Sequence, residues 1–346
     1  MDYDQGIDFS HQVQEDIWVD EINKFRVNGP RRWLLKWLYN VCQKFLFEDG
    51  TTLLLRFPRV KSISPNYADE KVAMEVEALS IIRERTTIPV PKIRAWGLTD
   101  ASPLGLGPFI LMEFIEGVCL NNIFTGGDFR LLKTDVSEGD LKIVYRQMAN
   151  FMLQIFEIDF ERIGSLPTPI TGYSPPALPL TWKLQEIIRT GGVDASGDRT
   201  QCSSTTLEYF QYVIQQDWKQ LLYQPSSIAG PLDALSKYSS LKTFESVLPE
   251  TVNVKHENGP FKLICDDFGP ANMIVKSEQD LTIVGVVDLE WAYAGPAQLF
   301  GSAPWWLLHD RPVNVEWDTK GGDPPEVSTR YFDCLKIFQE TLAKEE

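Results

Sequence analysis

The chain has 346 residues, 43% hydrophobic and 23% charged, proportions that exclude a wholly disordered, collagenous or coiled-coil chain and leave room for two lobes with real cores. Its 33 Lys and Arg against 48 Asp and Glu give a net charge of −15. That charge repels nucleic-acid phosphate and anionic lipid, so no nucleic-acid partner is expected.

Five scattered cysteines, Cys42, Cys119, Cys202, Cys265 and Cys334, form no C-x-x-C and no Cys/His metal spacing. They read as reduced thiols, and a cytoplasmic location is expected. No run approaches eighteen apolar residues, and the chain opens without a basic segment followed by an apolar one, so neither a membrane span nor a secretory leader is expected. The three histidines, His11, His256 and His309, are unpaired at helix or strand spacing. A general acid or base is therefore expected to be a carboxylate.

In chain order, residues 1–30 are polar, with Trp18, Ile22 and Phe25 at the spacing of a short amphipathic helix, and read as a lead-in packed on the body. Apolar runs at 33–38, 42–47 and 53–57 follow, the last two separated by Glu48, Asp49 and Gly50, a hairpin signal, and three antiparallel strands are expected. From Asp69 to Arg85, Val72, Val76, Leu79 and Ile82 recur at helical period. At ~100° per residue, Glu75 falls on this apolar stripe and Glu77 points the opposite way. Pro89 and Pro91 then forbid helix and start an extended segment. Residues 108–114 read as a buried strand closed by Glu116 and Gly117.

Beyond residue 118 the pattern turns helical, most clearly at 141–158, where Leu141, Val144, Tyr145, Met148, Phe151, Met152 and Ile155 share a face. Residues 164–181 hold five prolines in a loop, and 191–204 is a polar, glycine-bearing break and a candidate mobile segment. Helix resumes at 206–222, and short strands return at 261–265, 273–275 and 282–287.

The densest chemistry lies at the ends of these last strands: Asp266, Asp267, Asp288 and Glu290, with Asn272. Either the aspartates cap hairpin turns, or the set neutralises a bound cation, since clustered charge at apolar strand ends is costly. Oxygen ligands without His or thiolate favour Mg2+ over zinc.

At these residues the chain resembles the aminoglycoside phosphotransferase (phosphotransferase enzyme) family of the protein-kinase-like superfamily. Asp267 and Asn272 have the spacing of the family's H-x-D-x-x-x-x-N motif, and Val287-Asp-Leu-Glu290 is similar to its I-D-x-E segment. The motif His is replaced by Cys265. The resemblance implies an α+β, two-lobed fold with a small antiparallel sheet and one main helix in the N-lobe (31–117, nucleotide-binding) and a larger helical C-lobe (118–346, with the catalytic loop and substrate site). It implies ATP and Mg2+ as cofactors, Asp267 as catalytic base, and Asn272 and Asp288 as metal ligands. It further implies an Arg56–Glu75 ion pair that positions the nucleotide, adenine bound by the hinge backbone at Glu113, Phe114 and Ile115, and Asp266 and Glu290 as groups that contact substrate or support the site.

No G-x-G-x-x-G or Walker A motif occurs, and the turn at 37–40 between strands one and two has no glycine. The segment after Trp291, with Trp305 and Trp306, looks like that of a subgroup from filamentous fungi, where it either walls a substrate pocket or joins the core. The expected activity is transfer of the ATP γ-phosphoryl group to a small hydroxylated molecule, an amino compound if the pocket is acidic. Two alternatives are a catalytically silent nucleotide-binding scaffold and a kinase-fold biosynthetic enzyme with different transfer chemistry. Oligomeric state is not legible.

Overall fold

A computed structural model describes residues 31–36, 40–59, 62–102, 105–126, 131–174, 178–309 and 326–346. The expected lead-in helix near Trp18 and most of the turn after the first strand lie outside these residues.

The N-terminal half is built on a five-stranded antiparallel sheet in the order β1-β2-β3-β5-β4. Its strands are β1 (Arg31–Lys36), β2 (Asn40–Leu46), β3 (Thr52–Pro58), β4 (Ile93–Gly97) and β5 (Phe109–Glu113). The β2–β3 hairpin closes as its Asp-Gly signal demands: Phe47 N–H donates to Thr51 O at 2.9 Å, Asp49 Oδ1 accepts from Thr51 N–H at 2.8 Å, and Gly50 sits at φ 84°. That positive φ favours glycine because it lacks a Cβ.

One helix, α1 (Ala68–Arg85), crosses this sheet. Acidic Asp69 and Glu70 in its first turn and Arg83 and Arg85 in its last complement the helix dipole. Val72 and Val76 pack on Cys42, Leu54, Ile110 and Met112 of the sheet. Ala73, Met74, Ala78, Leu79 and Ile82 join the main core with the helices that follow. The helix is therefore buried on two sides. Glu77 does point away from the stripe, yet it is fully buried, accepting from Thr171 N–H at 3.0 Å and Ile170 N–H at 3.2 Å. The proline-rich loop covers the face that periodicity alone would leave to solvent.

The second half is mainly helical: α2 (Leu120–Phe124), α3 (Glu138–Phe156), α4 (Trp182–Gly191), α5 (Thr206–Tyr223), α6 (Pro231–Thr251), α7 (Ala297–Phe300) and α8 (Glu326–Glu345). Helix α3 starts at Ser137, whose Oγ accepts from Asp140 N–H, an N-cap that satisfies an otherwise open donor. Its Tyr145 meets Trp306 and Phe338 of α8 edge-on, with centroids 5.9 Å apart in both cases. None of the described helices is long and apolar enough to cross a membrane.

Two small antiparallel sheets hold the loops of interest. One runs β10-β9-β6, with β6 (Val118–Cys119), β9 (Met273–Val275) and β10 (Ile283–Val286); the other runs β11-β8-β7, with β7 (Asp159–Phe160), β8 (Phe261–Cys265) and β11 (Ala292–Gly295). Residues 191–204 do not form a free tether, since Arg199 within them is buried and pairs with Glu70 of α1.

Candidate active site

Strands β8 and β9 are joined by a loop that carries Asp266, Asp267 and Asn272; β10 and β11 are joined by one that carries Asp288 and Glu290. Both loops emerge at the same edge because β8 pairs with β11, Cys265 opposite Ala292, and β9 pairs with β10, Met273 opposite Val286. Val287 N–H donates to Asn272 O at 2.9 Å and ties them together. Within the first loop, Pro270 opens a single 3-10 turn that ends at Asn272. The Asn272 amide then donates to Asp267 O at 2.9 Å and to Asp267 Oδ2 at 3.0 Å, which orients that carboxylate. Asp288 lies at φ 63°, a backbone region that a residue with a Cβ enters only when its surroundings hold it there.

A cavity of about 400 Å³ runs from these loops to the segment after β5. Leu54, Met112, Phe114, Ile115 and Ile274 supply an apolar slot, and Arg56, Asp267, Asn272 and Asp288 line its polar end. Gly117, at φ 151°, lets the chain turn past β9; a Cβ there would stand 2.4 Å from Val275 O. Of the three hinge residues, the Glu113 amide donates to Lys92 O at 2.9 Å and the Phe114 amide to Thr52 O at 3.1 Å. Among the described residues the Ile115 amide has no such partner and is the one open donor of the three.

Arg56 stands at the centre of a buried ionic network. Alternation along β3 puts it two residues from Leu54 on the face that meets α1. Its Nη1 donates to Glu75 Oε1 at 2.6 Å, the pair expected from sequence, and Nη2 donates to Glu290 Oε2 at 2.8 Å and to Asp288 Oδ1. Lys71 of α1 pairs with the same Glu290, and Asn40 Nδ2 donates to it at 2.7 Å. Two cations thus face three carboxylates. Burial tends to lower the Arg56 pKa, but Asp288, Glu75 and Glu290 hold it well above its ordinary value. Burial pushes Glu75 up to about 7 against the pull of Arg56, and pushes Asp288 up as well. For Glu290 burial acts upward too, yet Lys71 and Arg56 outweigh it and its carboxyl lies below the usual range.

These placements correct the idea that one cation gathers all four carboxylates. Among the described residues no three His, Cys, Asp or Glu side chains stand together as a metal cage. Glu290 is 3% exposed, compensated by Lys71, Arg56 and Asn40, and does not line the cavity. Asp266 turns the other way, accepting from the Tyr293 hydroxyl at 3.3 Å, and lines a second cavity. Asp267 and Asp288 remain on the first. Sequence reasoning missed Lys71 and Asn40; Lys71 stands one helical turn before Glu75 on the same face, a spacing that could have revealed it. Cys265, where the family motif has His, is desolvated, and burial followed by the nearby Asp266 charge pushes its thiol up to about 12. It therefore stays protonated and acts by packing. Trp306 is core, whereas Trp305 is partly exposed and borders the second cavity.

The phosphotransferase enzyme family matches residues 42–299. Among curated proteins, "Altered inheritance of mitochondria protein 9, mitochondrial" of Debaryomyces hansenii is 25% identical over 287 residues, covering 70% of this chain and 44% of that protein. "Clavilactone A biosynthesis cluster protein Y" of Ampulloclitocybe clavipes is 24% identical over 319 residues, covering 89% and 72%. The match spans less than half the length of the mitochondrial relative. Among solved structures, a protein of Ralstonia eutropha JMP134 assigned to the aminoglycoside phosphotransferases superposes with a TM-score of 0.52 at 11% identity, over 95% of this chain and 80% of that one. That likeness is one of fold: α+β and protein-kinase-like, as the sequence motifs implied.

Proposed function

This chain belongs to the phosphotransferase enzyme family, and from that premise we propose that it transfers the γ-phosphoryl group of ATP, with Mg2+, to a hydroxyl of a small molecule. The observation that carries this reading is one cavity lined both by the hinge residues Glu113, Phe114 and Ile115 and by Asp267, Asn272 and Asp288.

The residues present fit both groups. The apolar slot suits a planar base, and the Ile115 amide is an available donor at its edge. Asp288 Oδ1 meets Arg56 while Oδ2 has no hydrogen bond among the described residues, and Asn272 adds an amide oxygen. Mg2+ prefers such hard oxygens and takes only one or two carboxylates beside phosphate and water, so the absence of a three-carboxylate cage is in keeping with it. Asn272 and Asp288 would hold the metal. When bound, Mg·ATP supplies the phosphorus whose bond to the ADP oxygen breaks as the acceptor oxygen bonds to it. Asp267, oriented by Asn272, takes the proton of that acceptor hydroxyl. Arg56, fixed by Glu75, presents positive charge at the polar end of the slot without needing to reorganise.

The test is the D267N variant, assayed by thermal shift with Mg·ATP and by ATP consumption across a panel of hydroxylated metabolites. Nucleotide binding should persist while turnover falls about a hundredfold or more, the usual contribution of a positioned base. Retained turnover would sink the role given to Asp267. One observation favours a second reading, a silent nucleotide-binding scaffold: Arg56 already meets three carboxylates. Binding without turnover in the wild-type protein would select it. A cytoplasmic location, expected from the scattered and odd-numbered cysteines of the sequence, belongs to this proposal. The name of the Debaryomyces relative makes mitochondria the alternative, and cell fractionation decides between them.

A further inference from the structure

Helix α6 folds back along α5 after the short link at 224–230, and it is nearly bare. Leu248 is the only buried residue among its 21. Twelve large apolar side chains are exposed among the described residues, and eight of them lie between Leu222 and Val254. Exposed leucines scattered singly are ordinary, whereas a concentration of this kind marks an interaction surface.

Ring contacts show which side of the hairpin is apolar. Trp218 of α5 meets Tyr238 of α6 edge-on, with centroids 5.3 Å apart, and Lys242 Nζ lies 5.0 Å from the Trp218 ring. Leu222 stands one turn beyond Trp218, while Leu235 and Leu232 stand one and two turns before Tyr238. A continuous row therefore joins these residues on one side, with Tyr223 at the tip. The opposite side is a polar cleft, where Ser236, Lys237 and Ser240 of α6 and Gln220 of α5 are among the lining residues. Leu222, Tyr223, Leu232, Leu235 and Tyr238 are between 49% and 84% exposed. At about 200 Å² per side chain they present roughly 650 Å² of open surface, more than the largest patch of an ordinary monomer. Each partner in a stable interface contributes about 800 Å², so this face and its rim suffice for one.

Charge identifies the occupant. Between residues 218 and 252, Lys219, Lys237 and Lys242 balance Asp233, Glu245 and Glu250, giving a net charge of zero in a chain of −15. Lys237 pairs with Asp233 at 2.8 Å and Lys242 with Glu245 at 2.9 Å, so these four charges are matched within the helix itself. A cationic partner would find its complement elsewhere on the chain and gains nothing here. An anionic lipid surface is repelled by the chain and meets no excess of Lys or Arg on this face. A second copy also carries −15, and two such chains approach with least repulsion where each is neutral. An apolar row needs no differently patterned partner, so a two-fold axis can set it against itself.

We propose that this face of α5 and α6 is the contact of a two-fold symmetric homodimer, in which Leu222, Leu232, Leu235 and Tyr238 of each chain bury against the same patch of the other. The contact lies apart from the nucleotide cavity, none of whose lining residues belongs to α5 or α6. It therefore stands whether or not the chain transfers phosphate.

The test is sedimentation equilibrium of the full chain from about 0.1 to 100 μM, a range that spans the weak end of interfaces of this size. The wild type should reach twice its 39.4 kDa mass at micromolar concentration. L232E/L235E should weaken dimerisation by at least about a hundredfold, because four carboxylates would enter an apolar contact. F332E places the same charge on an apolar residue that is 63% exposed outside this face, and should leave the dimer unchanged. If circular dichroism shows that the double variant does not fold, L235S replaces it, with a loss of at least about tenfold. A monomer at every concentration overturns the proposal, as does a dimer that persists in L232E/L235E or one that F332E weakens equally. A monomer whose binding to phosphatidylcholine vesicles is abolished by L232E/L235E would give the face to lipid and overturns it as well.

Discussion

Three carboxylates around Arg56 and Lys71 leave one negative charge in excess inside the protein, and burial raises Asp288 and also Glu75. It has Arg56 as its direct ionic partner and is almost fully buried, so burial raises its carboxyl from 4.5 to about 7. Between those values the folded protein holds a proton that the unfolded chain has released. The contribution of Glu75 to stability is thus complete below pH 4.5 and declines as pH rises through 7. In E75Q this titration is gone. The stability of the wild type relative to E75Q should therefore fall by on the order of 3 kcal/mol between pH 4.5 and pH 8, measured by urea denaturation of both proteins. A wild-type advantage that grew with pH would contradict the direction. Sequence could name Glu75 from helical period, and Arg56 from the resemblance of its strand to the family's third strand. It could not show that Glu290, far along the chain, would enter the same network through Arg56 and Lys71.

At the scale of elements, α1 shows how periodicity informs and where it stops. Its apolar stripe was legible and meets the sheet. Period placed Glu77 opposite that stripe and said nothing of Glu70 and Lys71, yet all three are buried. Each is compensated by a distant group: Arg199 for Glu70, Glu290 for Lys71, and the backbone at 170–171 for Glu77. Burial pushes the Glu70 carboxyl up even with Arg199 against it. Removing the cation leaves a buried carboxyl unpaired, so R199M should destabilise the protein by about 3–5 kcal/mol. The double variant R199M/E70M should recover much of that loss; equal urea midpoints for R199M and wild type would count against the buried pair. The short strands β6, β7 and β11 escaped the sequence reading for a related reason. Two to four residues have too little period to read, and such strands exist through their partners, as Val118 does opposite Val275.

At the scale of the whole molecule, the sheet-bearing half and the helical half are joined by contacts that also build the site. Arg56 reaches Asp288 and Glu290, Val286 N–H donates to Pro89 O at 2.7 Å, and Thr87 N–H donates to Gln154 Oε1 at 2.7 Å. A ligand seated between the halves should therefore stabilise the whole protein. At a hundred times its dissociation constant, Mg·ATP should add about 2.7 kcal/mol, seen as a rise in Tm that EDTA reduces. No rise at any nucleotide concentration would remove the nucleotide site.

Hydrophobic period, turn chemistry and the Asp-x4-Asn spacing are local properties, so the main strands, the helices at 68–85, 138–156 and 206–223 and the motif residues were legible in the chain, whereas the helices at 182–191, 231–251 and 326–345 were not read from it. Tertiary structure alone decided which carboxylates share a cavity. Asp267 and Asp288 face one, Asp266 faces another, and Glu290 is compensated in the interior, since charge compensation depends on which chain segments meet in space.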